Sequence, residues 1–519
     1  MHIDALQKEA YGMDKTILPA HSISPSRKGR EVLIALAMAV FFSLVFFTCN
    51  TPLGPAIGSD NAMYLTMGTA IAKGYAPYSE IFDHKGPLLF ILQTLPQLFS
   101  GGYSTLSVFV QEVLFLWASL LVLARIARRA GALPVLVQLV YLAVLAPLLD
   151  GGNLTEEYAN LFTLIGIDTM LTVFDKGDGF GTDKNARSLL LPAAAMGVMA
   201  TLAFMTRANN MLPLCACVGG LALCLLVSKR FASFGWCALG FVLGCIAAAL
   251  PILLWLGHYG AIGDAIYGAI THNMMYADTG SISRIHKLLF DSYGHYALFM
   301  AALSCLGAAA YFIRMRRIPL ALAMVFGAAG GGLAGFISHK FYNHYLMLSV
   351  PLAALGTAQI LALLCERIQK KPLVHGVCAA LCAVMLTATG ISANALRESD
   401  YAAMLSLTPD AVALYDQVPE ADRDQFLAYR VEPKWYVATE ALPCMRFYFL
   451  QEILADADPA VMDEIVTSFE TEPPLWVVLF YNRPFSPPYD ARVQEILDTR
   501  YEFVDAKGQY QLLKYKEAE

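Results

Sequence analysis

Residues 59–87 read SDNAMYLTMGTAIAKGYAPYSEIFDHKGP and follow directly on the first hydrophobic stretch of the chain. Ionisable side chains stand here between apolar segments: Asp60, Glu80, Asp83, His84 and Lys85. Because charge close to hydrocarbon is costly, ionisable groups beside a membrane usually have a function. The stretch therefore indicates a membrane protein that carries out chemistry at its first large loop.

The composition of the whole chain supports a membrane protein. Of the 519 residues, 57% are hydrophobic and only 15% are charged, whereas soluble domains have about 25% charged residues. The net charge of −6 argues against a nucleic-acid partner, and the eleven cysteines show no zinc or disulfide spacing. The polar segment 1–30 is followed by no cleavage site, which predicts a cytoplasmic segment before an anchored first span rather than a signal peptide.

Eleven apolar segments have the length that crosses a bilayer. They are residues 31–50, 104–126, 133–149, 157–174, 188–206, 209–228, 233–256, 293–313, 318–337, 342–365 and 375–395. Seventeen Lys and Arg residues lie in the loops of one side and six in those of the other, so the first side is predicted to be cytoplasmic. This orientation places the protein in the cell membrane, with a cytoplasmic N-terminus and an extracytoplasmic C-terminal region.

The short apolar segment 86–99 does not fit this scheme, because it has only 14 residues. It reads as a re-entrant segment, an interfacial segment or a short crossing, so the predicted number of spans is eleven to thirteen. The membrane module is residues 31–396, with outer loops 51–103, 150–156 and 257–292. Residues 397–519 are predicted to form a soluble α/β domain, with a helix over 458–470, a strand over 475–482 and a strand or hairpin over 501–515. Its role is either acceptor recognition or a structural cap.

The first outer loop predicts a short helix over Asn61–Lys73, lying on the membrane surface with its apolar face down. Asp60 would then be fixed at the bilayer boundary for chemistry, or it would serve only to cap that helix. Lys85 is placed to meet a phosphate at headgroup depth, although a lysine that snorkels at a helix start has the same pattern.

Two further segments carry charge beside spans. DGGNLTEEY (150–158) holds three acids, and these predict either a second carboxylate facing the first, a divalent-cation site, or ordinary helix capping with Thr155 as the cap. Arg207 lies between two spans, where an arginine requires a bound anion such as phosphate or an internal ion pair with Asp168 or Glu112.

Two outer segments are rich in aromatic and histidine residues. Residues 258–292 have the composition of a mobile lid. Residues 338–351 predict either an interfacial aromatic belt or a donor-binding wall.

Together these motifs resemble the membrane-embedded GT-C glycosyltransferases, especially the protein-mannosyltransferase and aminoarabinose-transferase-like group, glycosyltransferase family 39. The resemblance is sharpest in D-N-A-x-Y, G-Y-A-P-Y and D-H-K-G-P-L-L, and in layout it covers nearly the whole chain. It implies a polytopic α-helical membrane protein of about 11–13 transmembrane helices with a small C-terminal α/β extracytoplasmic domain.

The resemblance also implies roles for individual residues. Asp60 would be the catalytic carboxylate, Glu156 the acid of the second outer loop in competition with Asp150 and Glu157, and Lys85 a ligand of the donor phosphate. The remaining site candidates are Arg207 and His84 at the phosphate, and Tyr64, Asp83, Glu157, His339, Tyr342, His344 and Tyr345 around the substrate cavity. The chain departs from the family pattern twice, with Asp60-Asn61 in place of Asp-Glu and Lys85-Gly86-Pro87 in place of Lys-Pro-Pro.

The implied reaction moves a sugar from a polyprenyl-phosphate donor to an acceptor on the outer face of the membrane. Asp60 would act as general base on a glycan, lipid or protein acceptor of the cell envelope, and direct displacement would invert the anomeric carbon. A divalent cation, Mg²⁺ or Mn²⁺, stays open, with Asp150 and Glu156 as candidate ligands. The alternatives are a transporter or flippase of polyprenyl-linked lipids and a non-catalytic accessory protein that uses the same cavity.

Overall fold

The structure is a computed structural model that describes residues 25–177, 183, 185–278, 283–338, 340–368, 370–449, 451–480 and 491–516. Over these ranges the chain forms a helical bundle joined to a small α/β domain. Of the residues on which the sequence predictions rest, several lie outside this description: residues 1–24, 279–282, 450, 481–490 and 517–519, together with Lys184 and His339.

Every predicted span coincides with a helix of the bundle. The helices are α1 (Pro25–Phe46), α2 (Ser59–Ala72), α3 (Pro87–Ser100), α4 (Thr105–Ala130), α5 (Pro134–Leu145), α6 (Thr155–Lys176), α7 (Leu190–Thr206), α8 (Leu212–Val227), α9 (Phe231–His258), α10 (Ile262–Ile266), α11 (Asn273–Asp278), α12 (Arg284–Phe290), α13 (Ser292–Met315), α14 (Ile318–Phe336), α15 (Val350–Arg367) and α16 (Lys371–Tyr415). Within the described ranges, nine helices are long and apolar enough to cross a membrane. The two other predicted spans are the shorter α5 and the mostly buried α6.

The short helix α3 does not cross the bundle. Just before it, the Phe82 amide donates to the Arg446 carbonyl of the C-terminal region, at 3.1 Å. Just after it, the Tyr103 hydroxyl donates to the Ala441 carbonyl of the same region, at 2.8 Å. Both ends of α3 therefore lie at the end of the bundle that contacts the C-terminal domain, which we call the domain end. This excludes the short-crossing alternative for residues 86–99.

The membrane helices pack closely through glycines. A Cβ atom on Gly197 of α7 would lie 2.0 Å from the Phe241 carbonyl oxygen of α9. A Cβ atom on Gly307 of α13 would lie 2.1 Å from Gly356 Cα of α15. In a membrane, where no hydrophobic effect drives helices together, small residues let helix backbones approach closely. These glycines therefore allow the close contacts between α7 and α9 and between α13 and α15.

The prediction that α2 lies on the membrane surface is wrong. Its residues Asn61–Ile71 are all buried, and the helix packs against α3 and the C-terminal domain. The reason is that its apolar side chains surround the helix instead of forming one stripe, which is typical of a buried helix. The C-terminal end of α2 lies within one residue of the predicted position. Gly74 follows it with φ +105°, and its amide donates to the Ile71 carbonyl.

The C-terminal domain is a four-stranded sheet with helices packed on it. The strands are β1 (Phe426–Ala428), β2 (Trp476–Phe480), β3 (Tyr501–Lys507) and β4 (Tyr510–Tyr515), and the helices are α17 (Lys434–Thr439), α18 (Gln451–Ala457), α19 (Ala460–Thr471) and α20 (Ala491–Arg500). The order is β1-β2-β4-β3, with β1 parallel to β2 and the other pairs antiparallel. The predicted helix, central strand and closing hairpin are thus confirmed. The predicted boundary at residue 397 falls inside α16, which continues to Tyr415.

Candidate active site

The first outer loop brings Asp83, His84 and Lys85 together as a buried cluster. Lys85 Nζ lies 3.1 Å from His84 Nε2 and 3.7 Å from Asp83 Oδ1, and His84 Nδ1 lies 3.2 Å from the same oxygen. Burial raises the pKa of Asp83, an effect that the nearby Lys85 partly opposes. Burial, and then the charges of Lys85 and Arg207, hold the pKa of His84 well below its usual value. Neutral His84 can therefore accept a hydrogen bond from Lys85 and orient the ammonium group.

Gly86 lets the loop that carries this cluster approach the end of α7 closely, next to Arg207. Its amide donates to the Thr206 carbonyl at 3.0 Å, and a Cβ atom there would lie 2.2 Å from the Met205 carbonyl oxygen. A proline at this position, as the family pattern has, would lose the amide donor and collide with α7. The departure from Lys-Pro-Pro thus seats the loop directly against the end of α7, one residue from Arg207.

Arg207 forms a buried ion pair with Glu156 at the start of α6. Its Nη1 lies 3.1 Å from Glu156 Oε1, and its Nη2 donates to the Tyr345 hydroxyl at 2.7 Å. The guanidinium also stacks over the Tyr345 ring, 4.2 Å from the centroid. The sequence alternatives for Arg207 named Asp168 or Glu112 as ion-pair partners, whereas the structure pairs it with Glu156. These contacts use two of the five N–H donors of the guanidinium.

Asp150 contacts the segment that precedes α15. His344 Nδ1 lies 2.9 Å from Asp150 Oδ2, and the His344 ring is stacked parallel to the exposed Tyr342 ring at 5.5 Å. His344 also packs edge-on against Tyr345, with ring centroids 4.8 Å apart. Tyr342, His344 and Tyr345, three of the predicted cavity residues, therefore form one row of contacts that ends at Arg207.

Tyr64 of α2 marks the point where these groups converge. Its pKa rises well above the usual value of 10, first because the phenol is buried and then because the carboxylates of Asp60, Asp83 and Glu156 are near; Arg207 acts in the opposite direction. Lys85 Nζ lies 6.0 Å from the centre of the same ring. The structure thus gathers three carboxylates and two cations around one side chain.

Asp60 stands in the first turn of α2 and does not cap it through its side chain. The N-cap residue is Gly58, with no side-chain capping bond, and the Asp60 side chain is half-buried. Likewise Thr155 is not the cap of α6, since the N-cap is Leu154; its hydroxyl donates to Glu156 Oε2 at 2.8 Å. Thr155 as the cap is therefore wrong, whereas Asp60, Glu156 and Glu157 do stand in the first turns of their helices, as the capping alternative predicts.

The overall arrangement matches solved membrane proteins. It is similar to ArnT from Cupriavidus metallidurans bound to undecaprenyl phosphate, with a TM-score of 0.61, 13% identity, and coverage of 93% of this chain and 97% of that chain. The same protein in the apo state gives a TM-score of 0.60 at 13% identity, covering 94% of this chain and 98% of that chain. The chain has the GT-C fold. No family model matches the sequence, and no curated protein matches it significantly.

In this GT-C structure both metal candidates of the second outer loop have cationic or histidine partners. Asp150 lies against His344 and Glu156 is paired with Arg207. Within the described part of the chain, no group of three or more His, Cys, Asp or Glu residues is arranged to hold a metal ion. A divalent cation at Asp150 and Glu156 stays a prediction.

The sequence did not identify the residues that hold the loop of Asp83, His84 and Lys85 through its backbone carbonyls. Arg446 of the C-terminal domain donates to the Tyr78 carbonyl at 2.7 Å and pairs with Asp264 of α10 at 3.1 Å. Asn273 donates to the His84 carbonyl. No motif marks these residues, because their partners lie far away in sequence.

The described part of the predicted lid, residues 257–278 and 283–292, is largely helical and is anchored to the C-terminal domain. A π-helical turn, Tyr267–His272, connects α10 and α11. The Tyr267 hydroxyl donates to Asp458 Oδ2 at 2.5 Å, and His272 Nε2 lies 3.3 Å from the Leu454 carbonyl oxygen. This segment therefore links the C-terminal domain to the loop that carries Lys85.

Proposed function

We propose that this protein is an integral-membrane glycosyltransferase that moves a sugar from a polyprenyl-phosphate carrier to an acceptor of the cell envelope. The observation that carries the proposal is that Gly86 holds the Lys85 loop against the residue before Arg207, while Tyr64, one helical turn after Asp60, lies 6.0 Å from Lys85 Nζ. A base beside two cations is what transfer from a phosphate-linked donor requires. Undecaprenyl phosphate is bound by ArnT, which shares the fold.

The two cations would hold the carrier phosphate. Lys85 and Arg207 are each buried and each already paired with a carboxylate. These pairs keep the cations ordered without a ligand, while their remaining donors can bind phosphate oxygens. As the bond between the sugar and the phosphate breaks, negative charge grows on the phosphate, and the fixed cations stabilise it without reorganisation.

Asp60 would serve as the general base. It is half-buried at the domain end, where an acceptor can approach from the aqueous side. The carboxylate takes the proton from the acceptor hydroxyl or amine while that atom attacks the anomeric carbon. The new bond forms on the face opposite the departing phosphate, so the anomeric configuration inverts. The products are the glycosylated acceptor, the carrier phosphate and a protonated Asp60.

Mass spectrometry of a strain with and without the gene tests the proposal and names the substrates. We expect one polyprenyl-phosphate sugar to accumulate in the deletion strain and one envelope modification to disappear. A plasmid with the wild-type gene should reverse both changes, whereas one with Asp60→Asn should reverse neither. Unchanged lipid-linked sugars and envelope glycans would contradict the proposal. Movement of a polyprenyl-linked sugar across liposomes without transfer would instead identify a flippase.

A further inference from the structure

A buried network of hydrogen-bonded side chains lies directly beside Asp60. One of its members, Asn153, also bonds Gln93 and Tyr158 and donates its backbone N–H to Glu157 Oε2. Asn61 Nδ2 donates to Asn50 Oδ1 at 3.0 Å, and Asn50 Nδ2 donates to Glu112 Oε2 at 3.1 Å and to Asn61 Oδ1 at 3.2 Å. Asn153 Nδ2 donates to Asn61 Oδ1 at 2.6 Å. These four residues are at most 2% exposed. We call Asn50, Asn61, Glu112 and Asn153 the amide clamp.

The amide clamp joins four separate parts of the chain. Asn50 follows α1, Asn61 stands in the first turn of α2, Glu112 is in α4, and Asn153 belongs to the second outer loop. The loop is shaped for this contact, because Asn153 has φ +59° and Gly152 has φ +93°. A Cβ atom on Gly152 would lie 2.5 Å from Glu112 Oε1. Such strained backbone persists only where the surrounding structure holds it.

The clamp departs from the sugar-transferase resemblance at one position. Asn61 stands where the family pattern has glutamate, and a carboxylate there could accept but not donate. Asn50 Oδ1 would lose its donor, and a second carboxylate would come close to Glu112 in a buried site. The partners of Asn61 in this chain therefore require a side chain that both donates and accepts hydrogen bonds at position 61.

We propose that Asn61 is the positioning residue for Asp60 and that the amide clamp fixes the first turn of α2 in the orientation that transfer needs. The inference rests on the proposed function, because it assigns Asp60 the role of base. Small displacements at a reacting centre reduce rates strongly, by about 100-fold for about 1 Å. Asn50 and Asn153 act on Asp60 through their hydrogen bonds to Asn61, and Glu112 acts through Asn50.

The test exchanges donors and acceptors at two positions of the amide clamp, 61 and 112. In Asn61→Asp, the Asn50 oxygen loses its donor and two carboxylates face one amide. In the double variant Asn61→Asp/Glu112→Gln, the Asn50 amide can turn over, donate to one oxygen of the acid at position 61 and accept from the amide introduced at position 112. Its oxygen then faces the other oxygen of that acid, at the contact that Asn50 Nδ2 makes at 3.2 Å in the wild type. The single variant therefore breaks the clamp, and the double variant restores part of it with the original net charge.

Two readouts are made on the purified full-length protein in lipid nanodiscs. Hydrogen exchange of residues 58–62 is expected to be about tenfold faster in Asn61→Asp than in the wild type, and about threefold slower in the double variant than in the single one. The kcat for sugar transfer is expected to fall at least about tenfold in the single variant and to recover about threefold in the double variant, while KM for the donor changes less than about threefold.

Gln138→Leu is the matched control, since Gln138 is another buried amide that donates to the Leu120 carbonyl at 2.9 Å and takes no part in the clamp. We expect this variant to lower the unfolding temperature but leave kcat and the exchange of residues 58–62 unchanged. Unaltered exchange in Asn61→Asp, or a double variant as impaired as the single one, would overturn the clamp. Absence of transfer by the wild type would instead overturn the proposed function, and the exchange result would still decide the clamp.

Discussion

The central helix α6 carries an ion-pair site at each end, and the two sites differ in their burial. At the domain end, Glu156 and Arg207 have side chains only 1% and 9% exposed. At the opposite end, Asp168 pairs with Arg125 at 2.9 Å, but the Arg125 side chain is 61% exposed. A buried pair is costly to maintain without a role, whereas an exposed one costs little and contributes little. The comparison therefore favours the domain end as the place of the proposed function.

The largest expected effect follows from breaking the buried pair. Arg207→Ala leaves Glu156 buried without its cation, which typically costs about 3–5 kcal/mol. We therefore expect a large drop in the thermal unfolding temperature of the detergent-purified protein and no detectable sugar transfer. Arg207→Lys keeps the charge but loses the second donor to Tyr345, so its stability should lie between those of the wild type and Arg207→Ala. Wild-type stability of Arg207→Ala would remove the distinction between the two ends of α6.

The next effect concerns binding at the domain end. Lys85→Met removes the ammonium group that is proposed to contact the carrier phosphate. A hydrogen bond to a charged group contributes about 1.5–3 kcal/mol, so KM for the polyprenyl-phosphate sugar should rise about 10- to 100-fold. Lys73→Met is the matched control, because Lys73 is an exposed lysine of the same loop. Equal KM values for the two variants would show that Lys85 does not bind the donor.

A smaller effect depends on pH. The pKa of His84 is held well below its usual value of 6.5, so the unfolded chain binds more protons than the folded one below that pH. Proton binding therefore favours the unfolded chain as the pH falls, and it lowers the free energy of unfolding by about 1 kcal/mol between pH 7 and pH 5.5. Asp83 acts in the opposite direction, because its pKa is raised.

Comparison of the wild type with His84→Gln isolates the histidine contribution, since Asp83 is present in both. The variant should lose less stability than the wild type between pH 7 and pH 5.5, as measured by denaturant unfolding at each pH. Parallel curves for the two proteins would show that His84 is not held neutral.

The smallest effect is expected at the opposite end of α6. Arg125→Ala removes an exposed partner of Asp168, and Arg129 lies 3.5 Å from the same carboxylate as a second partner. The free energy of unfolding should therefore change by less than about 1 kcal/mol, with kcat and KM as in the wild type. A loss of transfer as large as that of Arg207→Ala would contradict the assignment of function to the domain end.

The sequence predicted the helices well because apolar length and turn residues decide them locally. It also named Asp60, Lys85 and Arg207, since charged residues stand out against apolar surroundings. It failed for α2, where the loop position suggested a surface helix although the residues are apolar on all sides. It missed the amide clamp and Arg446, because these groups are recognised only through partners that lie 11 to 368 residues away in the chain.

The most direct test of the account is the rate of sugar transfer by Asp60→Asn in reconstituted membranes, with the accumulating polyprenyl-phosphate sugar as donor. The substitution keeps the size of the side chain but removes the base, and a general base contributes about 100- to 10,000-fold. We predict at least a 100-fold loss of kcat, with donor binding and unfolding temperature as in the wild type. A variant that folds, binds the donor and transfers sugar at the wild-type rate would contradict the assignment of Asp60 as the catalytic base.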